Sequence, residues 1–190
     1  METEVRFSGF GGQGVILMGI VLARAAALYD FKPESRAPRK NAIQTQSYGP
    51  SARGGHSKCD IKISSGDMLY PFVEIPDYLV IMSQQAFDKY ALEVKPETKI
   101  IIDPDLVRGR PSGDVYMVSS TKAAEGLGTR IVANVIMLAA FREISEIVTF
   151  DALEKATLDA VPPQTHDLNK SALKMGRKLG LDAMEAKDKD

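Results

Sequence analysis

The chain has 190 residues, enough for one domain with a substantial core, and 44% of them are hydrophobic. Its 24 basic and 25 acidic residues leave a net charge of -1, so the balance gives no reason to expect a nucleic acid or an anionic membrane as partner. Cys59 is the single cysteine, which excludes an internal disulfide, a thiolate zinc site and an iron–sulfur cluster ligated by this chain alone. A lone thiol fits a reducing compartment, and no signal peptide or membrane-spanning run is read, so a cytoplasmic location is expected.

Residues 4–10 have strand character, and a glycine-rich turn, GFGGQG, follows at once. From Val15 to Leu28 the chain is nearly all apolar, with Arg24 the only charge, and a helix over 14–29 is expected to be buried on most of its circumference. Strand, turn and helix form the first half of a βαβ unit. Residues 31–57 are polar and proline-bearing and show no clear secondary structure; a connection of that length in a compact domain is often functional. Residues 57–63, SKCDIKI, read as a strand with Cys59, Ile61 and Ile63 on one face, and Cys59 as a small buried hydrophobe.

The runs at 78–82, 99–102 and 114–118 read as further strands, with a short helix from Gln84 to Ala91 between the first two. Ser119, Ser120 and Thr121 offer a cap for a short helix through KAAEGLG. Longer helices are expected over 131–144, over 150–160 with a stop at Pro162 and Pro163, and over 167–181 with Leu168, Ala172, Met175 and Leu179 on one stripe. Residues 182–190 read as a charged, frayed tail. Strands alternating with helices predict an α/β fold: one Rossmann-like domain over 1–181, its mostly parallel sheet flanked by helices.

Two motifs carry the chemistry. Gly9, Gly11 and Gly14 match the G-x-G-x-x-G spacing, in which glycines permit a tight turn, close approach of a ligand and close helix–strand packing. The helix start behind them could bind an anion, a cofactor edge or a partner, or the turn could bind nothing. A dinucleotide site also wants an acid after a second strand; Asp30 has the offset from Gly9, but no convincing strand precedes it. The second motif is YGPSARGG, Tyr48 to Gly55. Arg53 can hold a carboxylate or phosphate through paired donors, and Gly54 and Gly55 allow close approach, although a plain surface loop with a salt bridge is the alternative.

Complete catalytic kits are missing. His56 and His166 have no second ligand at metal spacing, and neither a serine elbow nor a phosphate-binding P-loop occurs. Asp103 and Asp105 flank Pro104 as a turn, with a magnesium contact conceivable. Chemistry involving this chain is expected to need partners.

GFGGQGV followed by YGPSARGGHSKCDIKIS resembles the gamma subunit of the 2-oxoacid:ferredoxin oxidoreductases, and the likeness extends through the strand 78–82, IIIDPD and GTRIVANVIMLAAF. Gly9, Gly11, Gly12, Gln13 and Gly14 match that family's first turn, and Tyr48, Gly49, Arg53, Gly54 and Gly55 its second motif. Ser51 and Ala52 depart from the family's YGPE-like wording. The resemblance implies a complex with alpha, beta and ferredoxin-like delta subunits that decarboxylates a 2-oxoacid on thiamine diphosphate with magnesium. Electrons pass through [4Fe-4S] clusters to ferredoxin as an acyl-CoA forms. The thiamine lies between alpha and beta and the clusters in beta and delta, so this chain binds none of them alone and is inert by itself. The wording is most like the 2-oxoglutarate form; pyruvate and branched-chain forms stay open, as does a free-standing nucleotide-binding protein.

Overall fold

The computed structural model describes residues 2–31, 40–48, 55–109 and 111–189, with the backbone alone at Tyr48. Strand β1 (Glu2–Phe10) runs through the glycine turn into α1 (Val15–Arg24), which continues as a π-helical turn over Ala25–Tyr29. Then come β2 (Asn41–Tyr48), β3 (His56–Ser64), β4 (Tyr78–Ile81), α2 (Gln84–Tyr90), β5 (Lys99–Ile102) and β6 (Asp114–Met117). Four helices complete the described chain: α3 (Ser120–Gly126), α4 (Ala133–Ser145), α5 (Phe150–Ala160) and α6 (His166–Lys187).

The six strands form one sheet in the order β2-β3-β1-β4-β5-β6. Pairings β1–β4, β4–β5 and β5–β6 are parallel, as expected, whereas β1–β3 and β2–β3 are antiparallel. β1 is therefore the seam between two halves of different polarity. Two expectations need correction. The stretch 31–57, read as structureless, contains the whole of β2. Residues 182–187, read as frayed tail, continue α6, with Ala183 buried.

Alternation explains the two-sided core. In β4, Val80 points to the α1 and α4 side while Leu79 and Ile81 point to α2, so both faces need apolar residues. The thicker layer packs Phe7 edge-on against Phe141 at 5.2 Å, with Met18, Leu22 and Ile136 around them. Each such side chain contributes about 1.5–3 kcal/mol by burial. On this side Gly19 lies against Cys59, and Gly176 and Gly180 let α6 approach the backbone of α4.

The face toward α2 is polar in its antiparallel half. Arg6 of β1 sits opposite Asp60 of β3, and its guanidinium forks onto the carboxylate at 2.8 and 3.1 Å. Both are almost fully buried, and the same guanidinium donates to the Val73 carbonyl at 2.8 Å. Helix starts follow capping chemistry: Ser83 accepts from the Ala86 N–H and Thr149 from the Ala152 N–H. Among the described residues no helix is long and apolar enough to cross a membrane.

Asp30, the candidate ribose acid, is used as a clamp instead. Its carboxylate accepts from Lys40 Nζ at 2.6 Å and from the Thr149 N–H at 2.8 Å, tying the end of the π-helical turn to the start of α5. Burial pushes its pKa up, but the hydrogen bonds from Lys40 and Thr149 outweigh burial, and the net shift is below the ordinary 3.8. A carboxyl whose pKa is lowered by folding adds stability above its unfolded pKa and loses it as pH falls through the folded one. Asp30→Asn is therefore expected to lose stability at neutral pH and to show a shallower acid decline than the unmodified chain, measured by urea unfolding from pH 7 downwards. Equal acid slopes would show that the clamp contributes nothing.

Candidate functional site at the glycine turn

β1 ends beside the C-terminal ends of the parallel strands, where ligands of open α/β sheets bind. The turn is shaped by its own side chain. Gln13 Oε1 accepts the Phe10 N–H at 2.6 Å, and its Nε2 donates to the Met82 carbonyl at 2.6 Å, just past β4. Gln13 thereby fastens the turn to the neighbouring strand. Gly12 and Gly14 have φ of 106° and 76°, a region that favours glycine. A Cβ on Gly14 would also strike the Asn134 amide, which donates to the Gly14 carbonyl at 3.4 Å. Gly9 is held bare by Gln13, Val15 and Met82.

The two motifs meet here: the Gly11 N–H donates to the Gly55 carbonyl at 3.0 Å. Beside the turn opens a cavity of about 770 Å³, within the range of small-molecule sites. Gly12, Gln13 and Gly14 form one wall, and Leu17, Val161 and Leu168 supply apolar surface. Two buried amides, Asn134 and Asn169, lie in its lining.

The sequence profile of the pyruvate ferredoxin/flavodoxin oxidoreductase family matches residues 4–179. The chain belongs to that family. It is 46% identical over 181 residues to the 2-oxoglutarate synthase subunit KorC of Methanocaldococcus jannaschii, covering 93% of this chain and 92% of that subunit. It is 33% identical over 138 residues to the ketoisovalerate oxidoreductase subunit VorA of Methanothermobacter thermautotrophicus, covering 72% of this chain but only 27% of VorA. Among solved structures, the gamma subunit of a keto/oxoacid ferredoxin oxidoreductase from Geobacter sulfurreducens superposes with a TM-score of 0.83 at 38% identity, over 96% of this chain and 98% of that one.

For a pyruvate ferredoxin/flavodoxin oxidoreductase family member, the fate of each sequence candidate is now visible. Gly9, Gly11, Gly12, Gln13 and Gly14 form one turn, three of them on the cavity. Gly49, Arg53 and Gly54 lie outside the described residues; Tyr48 ends β2, paired with Ser57, and Gly55 meets Gly11. Asp103 is fully buried and accepts from Ser120 Oγ, the Thr121 N–H and Thr121 Oγ1 at 2.6–2.9 Å, while Asp105 accepts from the Lys122 N–H. These acids anchor the start of α3. Among the described residues no three His, Cys, Asp or Glu side chains gather as metal ligands.

His56 stacks edge-on against Tyr90 and contacts Lys89 Nζ at 2.6 Å; His166 opens α6 with Nε2 buried and unpartnered. Cys59 is sealed under α1. Burial pushes its thiol up to about 12, opposed by the Gln44 hydrogen bond and aided by Asp60. Such a thiol is neither nucleophile nor ligand at neutral pH. Sequence reading missed Asn134 and Asn169, whose one signal is a polar amide in an otherwise buried stretch of helix, clearest in VANVIML.

Proposed function

We propose that the chain is the gamma subunit of a 2-oxoglutarate:ferredoxin oxidoreductase, a cytoplasmic complex that converts 2-oxoglutarate and CoA to succinyl-CoA and CO2 while reducing ferredoxin. The observation that carries this is the 46% identity to a 2-oxoglutarate synthase subunit along nearly the full length of both chains. The partners are the alpha, beta and ferredoxin-like delta subunits, which hold thiamine diphosphate, Mg2+ and [4Fe-4S] clusters. With one buried cysteine, the chain itself does not suit a cluster, and its buried acids Asp60, Asp103 and Glu143 already accept from Arg6, from the start of α3 and from Arg142.

On this reading the Gly9–Gly14 turn borders the catalytic subunits, with the Tyr48–Gly55 motif along the same edge and Arg53 as its anchor to a partner carboxylate or to a ligand anion. The cavity receives part of CoA. Its apolar walls suit a pantetheine chain, and Asn134 and Asn169 suit that chain's amides. This subunit binds and orients; it moves no proton or electron.

The test is the purified complex assayed with 2-oxoglutarate, pyruvate and branched 2-oxoacids. We expect 2-oxoglutarate to be preferred by kcat/KM, and preference for another 2-oxoacid would reject the assignment. Ala160→Trp, which narrows the cavity, is expected to raise KM for CoA at least about tenfold and leave KM for 2-oxoglutarate unchanged. An unchanged KM for CoA would remove CoA from the cavity.

A further inference from the structure

Where β1 and β4 part, a side chain stands in the place of a backbone hydrogen bond. The two strands pair in parallel as far as Ser8 opposite Ile81, and the Met82 N–H donates to the Ser8 carbonyl at 2.9 Å. The next rung of a parallel ladder runs from the N–H two residues on, at Phe10, to the Met82 carbonyl. Here the amide of Gln13 occupies that rung. The Phe10 N–H donates to Gln13 Oε1 at 2.6 Å, and Gln13 Nε2 donates to the Met82 carbonyl at 2.6 Å. One primary amide thus lies between two groups that would otherwise bond to each other.

The residues around the insertion are suited to it. A carboxamide presents an acceptor and a donor together, which this position requires and which neither a carboxylate nor a hydrocarbon supplies. Gly9 leaves room for it: a Cβ there would lie 2.6 Å from Gln13 Oε1. Both rims of the insertion face the cavity, with Gly12, Gln13 and Gly14 on one side of it and Met82 on the other. The opposite wall is tied to the same turn. Asn134, only 5% exposed, donates through its amide to the Gly14 carbonyl at 3.4 Å.

We propose that Gln13 is a positioning residue for the cavity: its amide holds the ends of β1 and β4 one amide's width apart and thereby sets the glycine wall against which a ligand lies; the proposal rests on CoA entering the cavity, as proposed above. Both polar atoms of the Gln13 side chain are engaged by backbone, so its effect on a ligand passes through the backbone it holds. Without the amide, the Phe10 N–H and the Met82 carbonyl have two courses. They bond directly, which draws the turn toward β4 and reshapes the cavity at that wall, or they stay unpaired, which loosens the turn. Either course weakens a ligand lying along Gly12 and Gly14, and the Asn134 amide moves with them. The reacting centre, housed on other subunits, is left as it was.

The test is steady-state kinetics of the purified complex, with Ala160→Trp carried alongside. Gln13→Met keeps the length of the side chain and removes both hydrogen bonds. Gln13→Glu keeps an acceptor for the Phe10 N–H and sets a carboxylate oxygen against the Met82 carbonyl. Each is expected to raise KM for CoA at least about tenfold, with a smaller change in kcat and with KM for the 2-oxoacid within about twofold of the unmodified enzyme. A role in the fold alone gives a different pattern, in which kcat or the yield of complex falls and KM for CoA stays as it was; that pattern overturns the proposal, as does failure of both variants to assemble. If Ala160→Trp raises KM for CoA and an assembled Gln13 variant does not, CoA keeps its place in the cavity and the positioning role falls. If Ala160→Trp leaves KM for CoA unchanged, CoA is removed from the cavity and this proposal falls with it, whatever the Gln13 variants do.

Discussion

Gly176→Ala is expected to destabilise the chain by about 3 kcal/mol, lowering the melting temperature by about 2–4 °C for each kcal/mol. A Cβ at that position would lie 2.2 Å from the Ile136 carbonyl oxygen and 2.7 Å from Ala139 Cβ. The first obstacle is backbone, which cannot swing aside as a side chain could, so α6 must back away from α4. Gly126 is the control. An added Cβ there meets nothing within 4 Å, its φ lies outside the left-handed region, and it closes a helix. Gly126→Ala is therefore expected to gain about 0.5 kcal/mol by restricting the unfolded chain. Urea unfolding of both variants checks the pair, and a loss under about 1 kcal/mol at Gly176 would mean that the helices separate freely. The effect reaches the cavity, because the first turn of α6 supplies Leu168 and Asn169 to its lining.

Arg6→Met is expected to cost about 3–5 kcal/mol, the usual consequence of stranding one member of a buried ion pair. Among the described residues Asp60 would retain only Lys58, at 2.7 Å and partly exposed, and the Val73 carbonyl would lose the Arg6 donor. Removing the second charge too, in Arg6→Met with Asp60→Leu, is expected to recover most of the loss, since the desolvation cost leaves with the charges. Denaturant titration of the single and double variants separates the cases. A double variant as unstable as the single one would show that the pair does more than neutralise itself.

What could be read from the chain depended on how locally each signal was written. Lys99–Ile102 was legible to the residue because an apolar run ends in DPD, and α5 because Pro162 and Pro163 stop it. β2 was not legible. As an edge strand of the sequence NAIQTQSY it is only partly buried, so the apolar alternation that marks a strand is nearly absent. The end of α6 was masked by charges at 182–187, although Ala183 is buried there. At the site, the turn announced itself through glycine spacing. Its facing wall did not, because Asn134 and Asn169 come from helices more than a hundred residues away and only folding brings them opposite Gly14. The Arg6–Asp60 pair was hidden for the same reason: each residue alone reads as the exposed member of an alternating strand.

The seam position of β1 also governs the order in which the chain can assemble. Arg6 meets Asp60 54 residues later, and Glu4 meets Asp77 73 residues later. Contacts of such separation form late, because a long loop must close before they repay its entropy. The strands β4, β5 and β6, by contrast, follow one another and pair with their neighbours in sequence. On a ribosome adding about 5–20 residues per second, β1 waits about 4–15 s for its parallel partner. Until β3 has been made, Val5 and Phe7, later fully buried, have neither strand beside them. During synthesis the apolar strand β1 must thus be kept single until the first of its neighbours has been made.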